Sequence, residues 1–315
     1  MTRTALPKVP HGVLHASITG WFKAQARDLP WRGGCSAWGI LVSEIMLQQT
    51  PVVRVQPVWE EWLERWPTPS DFAAAPAADV LRAWGRLGYP RRALRLHAAA
   101  AEIVEKHGGA VPGSYDELLA LPGVGSYTAA AVAAFAFGRR TTVVDTNIRR
   151  VLARLVIGQA LPAPALTAAE MKLAAELLPE DRAESVLWNA GTMELGALIC
   201  TARSPKCASC PVFEQCAWIA AGQPEPTYIP KGQPWAGTDR QVRGAVMAVL
   251  RAASTPIHAD LLWDAEAARL HTEVSGELGR LHDLNTHAPQ LERALAGLVA
   301  DGLAEHSEAG YRLPG

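Results

Sequence analysis

Apolar residues recur at three- and four-residue spacing through most of the chain. The pattern predicts helices over 12–25, 38–49, 52–65, 77–86, 91–106, 115–120, 127–137, 146–156, 167–178 and 182–199, each bounded by Pro, Gly, Asp or Ser. Pro51 is expected in the first turn of its helix, where no amide hydrogen is missed. Strand-like alternation is scarce before residue 300, so residues 1–220 read as all-α. Residues 221–240 are rich in Pro and Gly and read as a linker. Helices over 239–253, 257–268 and 289–302 follow, and then a hairpin over 303–313 that turns near Glu308. Three helices and a hairpin suit a small winged-helix-like module.

A length of 315 residues suits two or three domains, and a hydrophobic content of 49% supports a sizeable core. The net charge of -1 excludes a uniformly basic DNA coat and an acidic solvating chain. Local segregation changes that picture. Arg82, Arg86, Arg91, Arg92 and Arg95 form one run without acids, and Arg139, Arg140, Arg149, Arg150 and Arg154 form another against Asp145 alone. Either run alone reads first as a solvated helix face and otherwise as a local cationic surface for DNA, where binding would weaken with salt, and the module after residue 240 is acidic. No run of about 18 apolar residues predicts a membrane-spanning helix. The first residues lack a signal-peptide core, so a cytoplasmic location is expected.

Four of the five cysteines fall in one window, Cys200, Cys207, Cys210 and Cys216, while Cys35 stands apart. In a reducing compartment this spacing reads as a metal site rather than a disulfide framework. Four thiolates suit a [4Fe–4S] cluster or structural zinc. Leu121-Pro-Gly-Val-Gly125 joins a short helix to an Ala-rich one and reads as a helix-hairpin-helix turn. There Gly123 and Gly125 make a tight turn, and first-turn amides are offered to a DNA phosphate.

Two carboxylates stand out. Glu44 lies mid-helix on a stripe with Ile40, Leu41 and Leu47, which predicts burial and a raised pKa, as a general acid requires. A boundary Glu reaching water is the plainer alternative. Asp145 precedes Thr146-Asn-Ile-Arg-Arg150 and reads as a helix N-cap, held ionised and low in pKa. Such a pair is the usual kit for cleaving a glycosidic bond.

These motifs, with Leu29-Pro-Trp-Arg32, Ser43-Glu-Ile-Met-Leu-Gln-Gln-Thr50 and Leu87-Gly-Tyr89, resemble the endonuclease III superfamily of DNA glycosylases, and within it the MutY-type adenine-excising branch. The resemblance covers about residues 12–220. It implies a mainly α, helix-hairpin-helix glycosylase fold: a six-helix barrel over 29–136 beside an iron–sulfur helical domain over 137–220, with the N-terminal helix of 1–28 joining the latter. A linker over 221–239 and the winged-helix-like module over 240–315 complete the expected order.

It further implies removal of adenine mispaired with 8-oxoguanine or guanine in double-stranded DNA, by a monomer. Glu44 would protonate the base, Asp145 would stabilise the sugar cation, and Asn147 would orient Asp145. Tyr127 stands where strand-cleaving relatives carry a Schiff-base Lys, so a monofunctional enzyme is implied. Trp31 and Arg32 would line the adenine pocket; Gln48, Leu87 and Tyr89 would meet the duplex; Gly123 and Gly125 would hold its backbone, with Arg86, Arg91 and Arg149 as phosphate-contact candidates outside the matched motifs. Cys200, Cys207, Cys210 and Cys216 would hold the [4Fe–4S] cluster. A pocket acid of some relatives aligns with Ala190, and the lesion-inspecting NUDIX-like domain common in the branch is replaced here by the shorter module. The alternatives are a bifunctional glycosylase/lyase for oxidised pyrimidines and a non-catalytic, metal-containing DNA-binding regulator.

Overall fold

The computed structural model describes residues 10–229, 232, 234–269 and 273–315. Parts of the expected N-terminal segment, linker and last module (residues 1–9, 230, 231, 233 and 270–272) lie outside the described residues. Helices follow in the order α1 (His11–Gln25), α2 (Ala37–Met46), α3 (Val52–Arg65), α4 (Pro69–Ala73), α5 (Ala77–Trp84), α6 (Arg91–His107), α7 (Tyr115–Ala120), α8 (Ser126–Phe137) and α9 (Thr146–Leu152). A π-helical turn, Ala153–Ile157, extends α9; then come α10 (Ala168–Leu177), α11 (Arg182–Leu198) and α12 (Ala217–Ala220). The last part holds α13 (Asp239–Ala252), α14 (Ala259–Trp263), α15 (Ala265–Arg269), α16 (Ser275–His282), α17 (Ala288–Ala300) and the strands β1 (Glu305–Ser307) and β2 (Gly310–Arg312). Among the described residues, no helix is long and apolar enough to cross a membrane.

Contacts divide the chain into two units, each discontinuous in sequence. The first comprises the described residues of Met1–Leu41, Gly113–Ala120 and Val124–Lys231. Its core joins Leu14 and Ile18 of α1 to Ala130, Ala131 and Ala134 of α8, Ile148 and Val151 of α9, and Trp188 and Leu195 of α11. Helix α11 packs against both α1 and α9. Two glycines permit this. A Cβ on Gly191 would stand 3.1 Å from Ile18 Cγ2, and one on Gly196 would stand 2.7 Å from Asn147 Cβ, closer than packed carbons come. Asp181 caps α11 by accepting from the Glu184 amide, and Thr167 with Glu170 forms a capping box on α10.

The segment after α1 is tied to α11 by charge. Glu194 is 1% exposed and accepts from Arg27 Nε at 2.8 Å, Arg27 Nη2 at 2.7 Å and Arg32 Nη2 at 3.0 Å. Burial opposes ionisation of Glu194, but the bonds from Arg27 and Arg32 outweigh it and hold the carboxyl down at about 2.

The second unit comprises Val42–Pro112, Leu121–Gly123 and the described residues of Gly232–Gly315. Its barrel part is built on an aromatic cluster. Trp62 meets Trp66, Phe72 and Trp84 at ring separations of 5.2, 5.0 and 5.5 Å. Each fully buried side chain of this size contributes about 1.5–3 kcal/mol of hydrophobic stabilisation. In the last part, α13 packs on α16 and α17 and also against α5. The two strands form an antiparallel hairpin, and Ile257 bridges to Tyr311 on its edge. Gly310 (φ 117°) lies so close to Ile257 that a Cβ there would stand 2.2 Å from its carbonyl oxygen.

Several elements differ from expectation. Helix α2 stops at Met46 rather than residue 49: Gln49 is left-handed (φ 57°), and Pro51 disfavours helix at the residue before it. Pro51 is itself the N-cap of α3. The helix expected over 257–268 is broken into α14 and α15 at Asp264, whose carboxylate accepts from the Glu266 and Ala267 amides. Helices α4, α12 and α16 were not expected; all are short, with too few turns to display a period.

The low pKa of Glu194 fixes a pH window for stability. Its contribution is present above the ordinary carboxyl range and is lost as pH falls from about 4.5 toward 2. Glu194→Gln should lower the unfolding free energy at pH 7 by about 3 kcal/mol and flatten its pH dependence in that window. Urea unfolding of both proteins at pH 7, 4 and 3 measures this.

Candidate active site and cysteine loop

Glu44 lies in the second half of α2 and is 7% exposed, beside the buried Ile40, Leu41, Ile45 and Met46. The apolar stripe therefore buries it, and the solvated alternative is excluded. In the other unit, Asp145 is the N-cap of α9. Its Oδ1 accepts from the Ile148 amide at 2.6 Å and its Oδ2 from Asn147 Nδ2 at 2.9 Å. The cap is as expected, but the electrostatics are not. Burial raises the Asp145 pKa above the ordinary value, and the bonds from Ile148 and Asn147 and the charge of Arg150 only partly offset it. An N-cap signature speaks of donors and not of depth, so sequence reasoning missed this.

Asn147 in turn accepts from Arg150 Nη2 at 2.7 Å, and Arg150 Nε donates to the Cys200 carbonyl at 2.6 Å. Hydrogen bonds thus run unbroken from the Asp145 carboxylate to the first residue of the cysteine loop. Arg154, one helical turn on and 3% exposed, donates to the carbonyls of Ala160, Thr201 and Ala202 and to Cys200 Sγ at 3.4 Å. Its guanidinium also lies 4.7 Å from the centre of the Trp218 ring.

Cys200, Cys207, Cys210 and Cys216 line one pocket, with Arg154, Phe213 and Trp218 among its other walls. Among the described residues, no group of three or more His, Cys, Asp or Glu converges on a single-ion site; the four thiols share a pocket wall instead. Burial pushes the Cys210 thiol up to about 11 and raises Cys207 and Cys216, so strong cationic ligation is needed to hold them as thiolates. Four soft donors around one pocket, with buried cations against them, fit an anionic iron–sulfur centre.

In the hairpin, only Gly123 needs to be glycine. It is left-handed (φ 76°), and a Cβ there would stand 2.6 Å from Arg95 Cβ. Gly125 is extended (φ -95°) and is the N-cap of α8, which no side chain caps. Tyr127, in the first turn of α8, is half-buried against the first unit's core. Trp31 is 8% exposed, and Arg32 is engaged by Glu194 and by the Arg27 carbonyl.

The duplex-facing candidates of the second unit are brought together by a residue that sequence reasoning misread. Arg92 is 9% exposed and donates to the carbonyls of Ile45, Met46, Gln48 and Gly88, and to Thr50 Oγ1. It thereby joins the end of α2, with Gln48, to the Leu87-Gly-Tyr89 turn. Burial lowers its pKa to about 10, which still leaves it charged at neutral pH. Leu87 is buried and contributes its carbonyl, whereas Tyr89 is 50% exposed and left-handed (φ 47°).

Most of the arginines expected to meet DNA are likewise spent inside the protein. Arg149 chelates Glu170 and donates to the carbonyls of Ala163 and Ala165; Arg140 holds the carbonyls of Leu178 and Pro179. Arg91 pairs with Asp301, and Arg82 with Asp79. Within the two runs, and among the described residues, Arg86, Arg95 and Arg139 are the exposed guanidinium groups without a hydrogen bond or ion pair. Charge runs record composition and not direction, which is why the sequence overstated the basic surface.

Comparison with known proteins gives this architecture a class. Residues 42–176 match the HhH-GPD superfamily of base excision DNA repair proteins, and residues 200–216 match the iron–sulfur binding domain of endonuclease III. A thermostable thymine-DNA glycosylase superposes with a TM-score of 0.60 at 30% identity, covering 67% of this chain and 97% of that one. A non-covalent endonuclease III–DNA complex superposes with a TM-score of 0.57 at 25% identity, covering 68% and 98%. The adenine DNA glycosylase of Mycolicibacterium smegmatis is 48% identical over 297 residues, 93% of each chain. The chain belongs to the adenine DNA glycosylase family of that superfamily. Its cysteine loop is the iron–sulfur module, and four thiolates are the ligand complement of a [4Fe–4S] cluster.

Removing one ligand tests that module. Cys210→Ser protein should lose the visible iron–sulfur absorbance and its stoichiometric iron, as read by spectroscopy and elemental analysis of the purified protein.

Proposed function

We propose that the protein is a monofunctional adenine DNA glycosylase, acting as a monomer on adenine mispaired with 8-oxoguanine or guanine in double-stranded DNA. The observation that carries this reading is the burial of Glu44 within α2, together with the hold on Asp145 by an amide and by Asn147. Residues 1–28 and 137–220 serve as the iron–sulfur domain, 29–136 as the barrel, 221–239 as linker and 240–315 as a winged-helix-like module. The cytoplasm, at the nucleoid, is the expected place of work.

The base must leave the stack before it can be cleaved. Tyr89, exposed on its turn, and Gln48 enter the duplex, with Leu87 bracing the turn. The Gly123–Gly125 hairpin and the start of α8 receive backbone phosphate, joined by Arg95 and by the guanidinium donors of Arg91 that Asp301 does not engage. Trp31 and Arg32 flank the adenine pocket, and Tyr127 lines it.

Glu44 delivers a proton to the adenine ring, so the base departs with the electron pair of the N-glycosidic bond. The sugar is left as an oxocarbenium-like cation, which ionised Asp145 stabilises while Asn147 keeps its carboxylate aligned. Water then adds at the anomeric carbon and gives up a proton, leaving an abasic site. No lysine stands at position 127, so no imine forms with the sugar. The cluster, when bound, supplies a rigid anionic anchor for the loop from Cys200 to Cys216.

Single-turnover excision on duplexes with adenine opposite 8-oxoguanine, guanine, cytosine or thymine tests the substrate. The first two should be processed fastest, and equal rates on all four would remove the mispair reading. Glu44→Gln should abolish excision while duplex binding persists; full activity in that variant would overturn the mechanism.

The raised pKa of Asp145 also has a consequence for the pH profile. Asp145 must be ionised to act, so activity should fall on the acid side, with a midpoint above the ordinary Asp value of about 4. Asn147 donates to the ionised form and lowers that pKa. Asn147→Ala should therefore move the acid limb to higher pH, which single-turnover rates across about pH 4–8 measure.

A further inference from the structure

The segment between α5 and α6 holds three left-handed residues in five: Gly85 (φ 54°), Gly88 (φ 84°) and Tyr89 (φ 47°). A turn of this shape makes no regular ladder, so its carbonyls depend on donors from elsewhere. Every one of them is satisfied. The Leu87 carbonyl accepts from Thr50 Oγ1 at 3.2 Å, and the Gly88 carbonyl from Trp84 Nε1 at 2.9 Å and Arg92 Nη2 at 3.0 Å. The Tyr89 carbonyl accepts from the Arg92 amide at 3.0 Å, and the Arg86 carbonyl from Arg54. The Gly85 carbonyl accepts from Arg251 Nη1 at 2.5 Å.

Arg251 differs from the others in origin. It lies in the last turn of α13, some 166 residues along the chain from Gly85, in the acidic module that the glycosylase reading leaves without a role. Two further contacts come from the same module. Arg82, in α5, donates to the Ala253 carbonyl at 3.3 Å. Asp301 bridges Arg91, the first residue of α6, and Arg243 of α13. The module thus grips the turn before Tyr89, at Arg82 and Gly85, and after it, at Arg91.

This grip is costly to make. Burial and the neighbouring charge of Arg86 both disfavour the Arg251 cation, and among the described residues no carboxylate pairs with it. A surface module that merely rested on the barrel would leave such a guanidinium in water. Placed at the C-terminal end of α5, it meets the negative end of the helix dipole and closes the turn.

We propose that the C-terminal module is a positioning element for duplex opening: Arg251 and Asp301 hold the turn that carries Tyr89 in the geometry from which it enters the stack. The proposal rests on the reading of Tyr89 as a wedge. Neither residue touches the reacting atoms. Their effect is confined to the step that separates the adenine from its neighbours, and disappears when that step is already made.

The test uses the full-length protein with its cluster. Single-turnover adenine excision is measured on a fully paired duplex carrying one mispair, and on the same duplex with unpaired bases flanking the adenine. Arg251→Met and Asp301→Asn should each slow excision on the paired duplex about tenfold, the scale of one lost charge-assisted hydrogen bond, and leave the flanked substrate unchanged. Arg251→Lys, which keeps a donor for the single carbonyl, should recover most of the rate. Tyr89→Ala should lose more on the paired duplex than on the flanked one.

A selective loss in Tyr89→Ala with none in Arg251→Met and Asp301→Asn would overturn the positioning role and leave the wedge standing. Equal losses on both substrates in the module variants would likewise overturn it, marking a general loss of fold. Absence of selectivity in Tyr89→Ala would overturn the wedge and this role together. Should Arg251→Met fail to fold, the nearly isosteric Asp301→Asn carries the test alone.

Discussion

Main-chain carbonyls outside helices and strands need donors once they are buried, and in this protein buried guanidinium groups supply them. Arg92 gathers carbonyls from the end of α2 and the turn after α5. Arg154 and Arg150 do the same for the strand of chain entering the cysteine loop, and Arg140 for the end of α10. A planar head with five donors can satisfy several diverging acceptors at once, which an ammonium cannot do. The Leu87-Gly-Tyr89 turn and the entry to the cysteine loop are irregular backbone, and each is held by one or two of these residues. Leaving such carbonyls unpaired would cost about 1–3 kcal/mol apiece, so truncating one arginine would loosen a whole segment.

The same economy separates what could be read in the sequence from what could not. Helical periodicity identified the long helices to within a few residues, because burial of one face leaves a period that survives in the order of residues. Glu44 was legible for the same reason: Ile40, Leu41 and Leu47 around it left it nowhere else to point. The cap role of Asp145 was legible from Asp-Thr-Asn, yet its raised pKa was not, since depth depends on α8, α10 and α11 packing around α9. The arginines were misread because a run of charge gives no direction. Arg149 and Arg95 look alike in sequence, and one is chelated by Glu170 while the other is exposed beside Gly123. Glu194 drew no notice at all, although bonds from Arg27 and Arg32 hold its carboxyl down at about 2. Its partners Arg27 and Arg32 lie in a different stretch of chain.

Glu44 sits in α2 among apolar neighbours, with little exposure. Asp145 sits at the start of α9, with donors on both oxygens and a guanidinium beyond them. The chain from Asp145 through Asn147 and Arg150 to Cys200 couples the orientation of a carboxylate to the position of the cysteine loop. Neither end of that chain is free to move without the other.

The interleaving of the two units bears on how the protein is made. Helix α1 presents Leu14 and Ile18 to α11, and Arg27 reaches Glu194, a partner 167 residues later. At about 5–20 residues per second, roughly 10–30 s of synthesis pass before α11 leaves the ribosome. During that interval α1 lacks its α11 partner, while a large part of the second unit, Val42–Pro112, is produced. The apolar face of α1 and the Arg27 side chain are thus completed only by a helix made long after them.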